Sequence, residues 1–423
     1  MPAGGQFVGV PITRVLDTRN GTGGVPAQPV AAGGTITFQA AGVGGVPSSA
    51  DAVVLDVTAL NPPAKGFLTV YNADSPDPGV ATVGLRASGV MNEQTTTVPV
   101  SATGTVSLTN HSSGSLDIVA SVAGYYTGDP AAAAGDTYFD LPWAEIANTT
   151  TGNNVPKAQI PANGSLTFQV TGNGGIAAGA DMAVMQVTAI NATAAGYLTA
   201  YAAGGADPGV AALSYNSDTY YRNLLYVPLS SDGQATLTNH GTAPVDVSVY
   251  ARGYYLPPAA TPAGGEYTPL YPQLVYGTAS AGTQLTANAS ASFQVTGAGD
   301  VPGSGVSGVT EEVVVTNPTA QGRLDEGPAG GTLHPVVSFL NADSAYAGYD
   351  TGVVSTLSPS GQETVTNVSS GTVNVQVAVT GWFQSPQTAS EPQSVSASVS
   401  GSTATVTWSA RLLMAARRSR DTR

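Results

Sequence analysis

The chain has no cysteine. That excludes a disulfide framework and any thiolate-held metal. Charge is scarce as well, at 9% of residues, and the 13 Lys and Arg against 27 Asp and Glu leave a net charge of −14. An acidic, sparsely charged surface is unsuited to binding nucleic acid through its phosphates. No apolar run is long enough to span a bilayer, and Met1-Pro2-Ala3-Gly4-Gly5 offers neither the basic nor the apolar region of a signal peptide. Sustained helical periodicity is missing, and there are only three histidines. What the chain does have is 52 Gly, 29 Pro, 18 Tyr and many Val, Thr and Ala. These suit short strands and turns. A hydrophobic share of 42% sets it apart from disordered polymers.

One stretch occurs three times. Residues 53–71 read VVLDVTALNPPAKGFLTVY, residues 184–201 VMQVTAINATAAGYLTAY, and residues 313–324 VVVTNPTAQGRL. Each is a β-branched run that breaks at an Asn and restarts after a Gly, which describes two strands and a tight loop. Further landmarks keep step with it: Phe7, Tyr138 and Tyr267; Thr18, Thr149 and Thr278; Phe38-Gln39, Phe168-Gln169 and Phe293-Gln294; Asn110, Asn239 and Asn367; and Gly124-Tyr125-Tyr126, Gly253-Tyr254-Tyr255 and Gly381-Trp382-Phe383. The period of about 130 residues is far longer than that of solenoid or propeller repeats, so each copy is expected to be a domain with its own core.

Within copy one the turn residues separate about eight strands, at a spacing typical of sandwiches. Val53, Leu55, Val57 and Ala59 alternate with Val54, Asp56, Thr58 and Leu60, which predicts one buried and one mixed face. The expected fold is therefore all-β: three tandem antiparallel β-sandwich domains in a row, at residues 1–128, 136–256 and 265–384, joined by short Pro, Ala and Gly linkers. Residues 391–410 add a hairpin-like pair of strands around Trp408 that resembles the start of a fibronectin type III domain, an incomplete stub. Residues 411–423, with Arg411, Arg417, Arg418, Arg420 and Arg423, are expected to be an unstructured basic tail. Pro2-Ala3-Gly4-Gly5-Gln6-Phe7 matches Pro262-Ala263-Gly264-Gly265-Glu266-Tyr267, so the chain reads as starting inside a linker, with a true start codon as the alternative.

Arg14-Val15-Leu16-Asp17-Thr18-Arg19, Gly44-Gly45-Val46-Pro47, Gly66-Phe67-Leu68-Thr69-Val70-Tyr71 and Val122-Ala123-Gly124-Tyr125-Tyr126 together resemble a β-rich module of large secreted and cell-surface actinobacterial proteins. The resemblance is good in copy one, fair in copy two and weak in copy three. It implies an extracellular or cell-surface, non-catalytic array, acting as spacer, adhesion element or targeting element. The alternative is a polysaccharide- or cell-wall-binding region that serves a glycan-degrading enzyme. A hydrolase in its own right ranks third.

Candidate chemistry is thin. His111 and His240 lie in equivalent Thr-Asn-His turns with no catalytic spacing around them. Asp74, Asp77, Asp207 and Asp343 cluster at one loop, without the dense ligand alternation of calcium loops. Asp325 and Glu326 occur in copy three only, and no second acid pairs with them in the sequence as a glycosidase requires. No catalytic residue, cofactor or metal is expected. The densest aromatic group, Tyr215, Tyr220, Tyr221 and Tyr226 around Arg222, is the expected ligand-facing surface, with packing as the competing role. The expected partner is a cell-wall or other polysaccharide, and the array is expected to be monomeric.

Overall fold

The computed structural model describes residues 5–85, 92–129, 135–217, 220–257, 265–278, 283–339, 349–385, 393–400 and 403–409. The loop at Asp343, the start of the chain and the tail at 411–423 lie outside the described residues.

Each repeat contributes eight strands. In copy one these are β1 (Gln6–Asp17), β2 (Thr35–Gln39), β3 (Ala52–Leu60), β4 (Gly66–Asn72), β5 (Val83–Leu85), β6 (Asn92–Pro99), β7 (Thr105–Asn110) and β8 (Asp117–Thr127). Copy two has β9 (Thr137–Asn148), β10 (Ser165–Gln169), β11 (Met182–Ile190), β12 (Gly196–Ala202), β13 (Leu213–Tyr215), β14 (Tyr221–Pro228), β15 (Gln234–Asn239) and β16 (Asp246–Leu256). Copy three has β17 (Tyr267–Gly277), β18 (Ser290–Gln294), β19 (Val306–Thr316), β20 (Gly322–Pro328), β21 (His334–Phe339), β22 (Tyr349–Thr356), β23 (Gln362–Ser369) and β24 (Asn374–Gln384).

These strands form six four-stranded sheets gathered about one centre in a propeller-like arrangement. The strand order differs from the consecutive meander of an ordinary propeller blade. Strands alternate between an inner sheet, β1-β8-β3-β6 in copy one, and an outer sheet, β2-β7-β4-β5, and the other copies repeat the order. An apolar cluster lies between the two sheets of each repeat. A fourth cluster draws residues from all three repeats: Phe7, Ala52, Val54 and Tyr126; Tyr138, Met182, Val184, Leu224, Tyr226 and Tyr255; and Tyr267, Val354 and Phe383.

The expectation of three sandwich domains in a row with a fibronectin-like stub is corrected by this fourth cluster. The inner sheets are buried on both faces, and the first eight residues of β3 and of β11 are all buried. The face read as mixed is turned toward the neighbouring repeats: Val54 enters the shared centre, and Asp56 is buried beside Glu93. Because the mixed face carries Thr and Asp, it resembled a solvated face in the sequence. At the chain's end, β25 (Gln393–Ser400) and β26 (Thr403–Ser409) pair with each other in a sheet of their own. Nothing in that two-stranded sheet supports a fibronectin domain.

The closure is cyclic. Phe7 bridges Asp136, Tyr138 bridges Gly265, and Tyr267 bridges Gly5, so each repeat pairs with the next and the third returns to the first. Six aromatic rings make a closed circuit at this end. Phe7–Tyr126, Tyr138–Tyr255 and Tyr267–Phe383 lie 5.2, 5.3 and 5.0 Å apart within repeats. Phe7–Tyr255, Tyr138–Phe383 and Tyr267–Tyr126 lie 4.6, 3.9 and 4.3 Å apart between them. Phe7–Tyr126 meets edge to face, Tyr138–Phe383 is stacked, and the other four pairs are tilted. Tyr126 and Tyr255 also share a hydrogen bond through their hydroxyls.

The repeated Gly of the last strand makes room for this circuit. A Cβ at Gly124, Gly253 or Gly381 would lie 2.3 Å from Phe7, 2.1 Å from Tyr138 or 2.0 Å from Tyr267. We expect Gly253→Val to destabilise the protein by more than the roughly 1–3 kcal/mol typical of overpacked cores, because a rigid ring surrounded by other rings has nowhere to move. Urea denaturation would measure it. A change below about 1 kcal/mol would contradict the packing described.

The other landmarks also have structural roles. Asn61, Asn191 and Asn317 adopt φ of 47°, 56° and 50°, a left-handed geometry that Asn tolerates better than most residues. The fully buried Asn110, Asn239 and Asn367 each donate side-chain hydrogen bonds to three loop carbonyls.

Candidate functional site

The tyrosine group expected to face a ligand is divided by strand alternation. Tyr215 is buried and donates its hydroxyl to Asn239. Tyr221 packs in the core of copy two, and Tyr226 in the shared centre. Arg222 is half-buried and donates to Ser338 of copy three at 2.5 Å, and burial lowers its pKa to about 10. Tyr220 is 53% exposed, with the Arg222 guanidinium 5.9 Å from its ring centre. The five residues therefore do not share one face.

Two histidines pair with acids that the sequence did not connect. His111 Nε2 lies 2.9 Å from Asp77 Oδ2, and His240 Nε2 lies 2.9 Å from Asp207 Oδ2. Each imidazole stacks on an aromatic, Phe67 or Tyr197. Each Asp also accepts the amide of the Gly two residues on. Copy three has Val368 in place of the histidine. These are matched loop clasps on the first two outer sheets.

The most regular surface lies on the outer sheets, on the faces turned away from the cores. Thr35 and Thr109 hydroxyls are 2.8 Å apart, as are Thr37 and Ser107. In copy two the pairs are Ser165–Thr238 and Thr167–Thr236, both at 2.8 Å. In copy three they are Ser290–Thr366 and Ser292–Thr364, both at 2.7 Å. The first-named residue of every pair is exposed. Tyr71 and Tyr201 extend the rows, bonding Thr109 and Thr238 at 3.1 and 2.9 Å. Period 2 explains the geometry: hydroxyls at alternate positions share a face, and antiparallel pairing sets the two rows opposite each other. A bonded hydroxyl pair uses one donor and one acceptor, so one donor and several acceptors remain per pair. The signal in the sequence was a Ser/Thr-x-Ser/Thr run just before each Phe-Gln, together with its partner run before Asn110, Asn239 and Asn367.

A third feature was invisible in the sequence. Glu311 of β19, Glu326 of β20 and Glu363 of β23 converge inside copy three, with ligand oxygens within 4.8 Å of one another. All three are essentially inaccessible to solvent. Burial, reinforced by mutual repulsion, pushes the carboxyls of Glu311 and Glu363 upward, Glu363 to about 8. Burial also raises Glu326, against the opposing pull of the Arg252 charge. Arg252 is fully buried on β16 of copy two; burial lowers its pKa to about 9, and the three glutamates oppose that shift. Its Nη2 donates to the Val354 carbonyl, and its guanidinium lies 3.3 Å from the centre of the Trp143 ring. His334 stacks on Trp143 at 5.0 Å and 7°. Copy two thus covers the side of copy three where the acids gather.

No family model matches this sequence, and no curated protein matches it. Among solved structures, one from the Sulfolobus turreted icosahedral virus shares 10% identity over 85% of this chain and 86% of its own, with a TM-score of 0.17. Another, from an archaeal virus described as having a triple jelly roll fold and turret assembly, shares 11% identity over 90% of this chain and 91% of its own, with a TM-score of 0.17. At such scores neither likeness carries an argument about this chain. No helix among the described residues is long and apolar enough to cross a membrane.

Proposed function

We propose that this chain is a non-catalytic, extracellular or cell-surface module that adheres to polysaccharide through its three outer sheets. The observation that supports this reading is the repetition of the same paired hydroxyl rows in all three repeats. The exposed member of each pair, Thr35 and Thr37, Ser165 and Thr167, and Ser290 and Ser292, offers a hydroxyl that complements a hydroxyl-rich glycan surface. Each contact is weak, and three faces held in one closed body add by avidity. The acids of copy three fit a non-catalytic role, since they are closed off from any polymeric substrate.

Retention on insoluble glycans and cell-wall preparations tests the proposal. Thr35→Val with Thr37→Val keeps the shape of β2 and removes its hydroxyls. It should reduce retention several-fold, and the matching change at Thr167 should deepen the loss. Retention unaffected by these changes but lost in Tyr220→Ala would move the contact to the Tyr220 loop and defeat the hydroxyl-row reading. Failure of the unaltered protein to bind any glycan would leave the spacer role in its place.

A further inference from the structure

The three repeats serve as one another's controls. Strand register equates Glu311 with Leu55 and Met185, because all three pair with the same positions of the flanking strands. It equates Glu326 with Val70 and Ala200, and Glu363 with Val106 and Ala235. Ser355 of β22 corresponds to Val98 and Val227. In copies one and two all of these are apolar core residues. Copy three has replaced four adjoining core positions with three acids and a hydroxyl.

An ordinary core does not tolerate that exchange. Burying an unpaired charge costs several kcal/mol per ion even after relaxation. All six carboxylate oxygens of Glu311, Glu326 and Glu363 are buried without a hydrogen-bond partner. Arg252 brings one positive charge, yet its Nε and Nη1 are buried without hydrogen-bond partners too. Ionised, the group carries three negative charges against one positive, a deficit of two.

We propose that Glu311, Glu326 and Glu363 hold a hard divalent cation of calcium size inside copy three, with the Ser355 hydroxyl at its margin. The charge balances: three carboxylates, one guanidinium and one divalent ion sum to zero. The donor chemistry agrees, since all-oxygen sites select calcium, magnesium or manganese over softer metals. The dimensions agree as well. The three oxygens lie within 4.8 Å of one another, close enough for one calcium ion, at about 2.3–2.6 Å from each oxygen, to bridge them. Magnesium dehydrates reluctantly and is seldom held in a closed all-protein cage, which favours calcium in a site this buried. The inter-repeat cover of Trp143, Arg252 and His334 would close over the ion as the repeats assemble.

The full chain, unfolded in chelator and refolded with chelator or with calcium, magnesium or manganese alone, tests this. After removal of free metal, the unaltered protein should retain one equivalent of calcium, by atomic emission, and melt several degrees higher than the chelated form. The variant E311L/E326V/E363V, which restores the residues of copy one, should retain none and melt at the same temperature with and without metal. Glu363→Gln, which keeps the shape and removes one charge, should weaken calcium binding at least tenfold. The proposal is overturned if the unaltered protein refolds without retaining metal at millimolar calcium, as it would if shared protons alone neutralised the acids. It is equally overturned if the triple variant retains the same equivalent, or if Glu363→Gln leaves the affinity unchanged.

Discussion

Residues 136–256, produced alone, should not give a folded monomer. In the intact chain this repeat contributes Tyr138, Met182, Val184, Leu224, Tyr226 and Tyr255 to the shared centre. Full burial of a large apolar side chain is worth about 1.5–3 kcal/mol, so exposing six forfeits roughly 9–18 kcal/mol. That is comparable to the whole stability of a typical domain, about 5–15 kcal/mol. The isolated repeat would also expose the unpaired ends of strands that now bridge between copies at Tyr138 and Gly265, an edge that invites association. Light scattering should report aggregates or oligomers, and amide spectra should lack dispersed monomer signals. A monodisperse monomer with cooperative unfolding would show that the shared centre contributes little, and would return the repeats to independence.

Arg252→Ala should be among the most damaging single substitutions away from the aromatic circuit. It removes a buried cation that offsets Glu326, Glu363 and Glu311, the donor to Val354 and the layer stacked on Trp143. Breaking a buried ion group by removing one partner costs about 3–5 kcal/mol. The same change in the E311L/E326V/E363V background should cost much less, because no uncompensated carboxylate remains there. Denaturation of the four proteins in chelator would give the coupling between Arg252 and the acids directly. Additive effects would mean that Arg252 matters only as packing.

The pH dependence in chelator follows from the same group. The acids face one another from β19, β20 and β23, with Ser355 from β22, Arg252 from β16 and His334 on β21. Their folded-state pKa values are raised, so the folded state holds protons that the unfolded state releases near the ordinary Glu value of about 4.3. The stabilisation is therefore complete below that value and is lost as pH rises toward the Glu363 value of about 8. The triple variant should flatten this slope.

The positions that repeat were readable because backbone geometry and local hydrogen bonding demand particular residues wherever they occur. An Asn in left-handed geometry, an Asn tying three carbonyls, and a Gly beneath an aromatic ring each recur at fixed places in all three copies. The strand content and the aromatic pair ending each copy follow from the same logic. The second face of the inner sheets was not readable. Val54, Asp56 and Thr58 have the composition of a half-wet surface, and only their neighbours decide that they are buried. The tyrosine group is divided for a related reason: closeness in sequence along one strand sends alternate side chains to opposite faces, so Tyr221 and Tyr226 enter different cores.

By itself, the sequence determined an all-β chain of three related units with strands, turns and structural Asn and Gly in register, because those features depend on contacts within one unit. Tertiary structure alone decided that the units close around a common aromatic centre, and that Glu311, Glu326 and Glu363 meet. Both outcomes depend on which sheet face meets which neighbour. Strand periodicity assigns side chains to one face or the other, and it does not say what lies opposite.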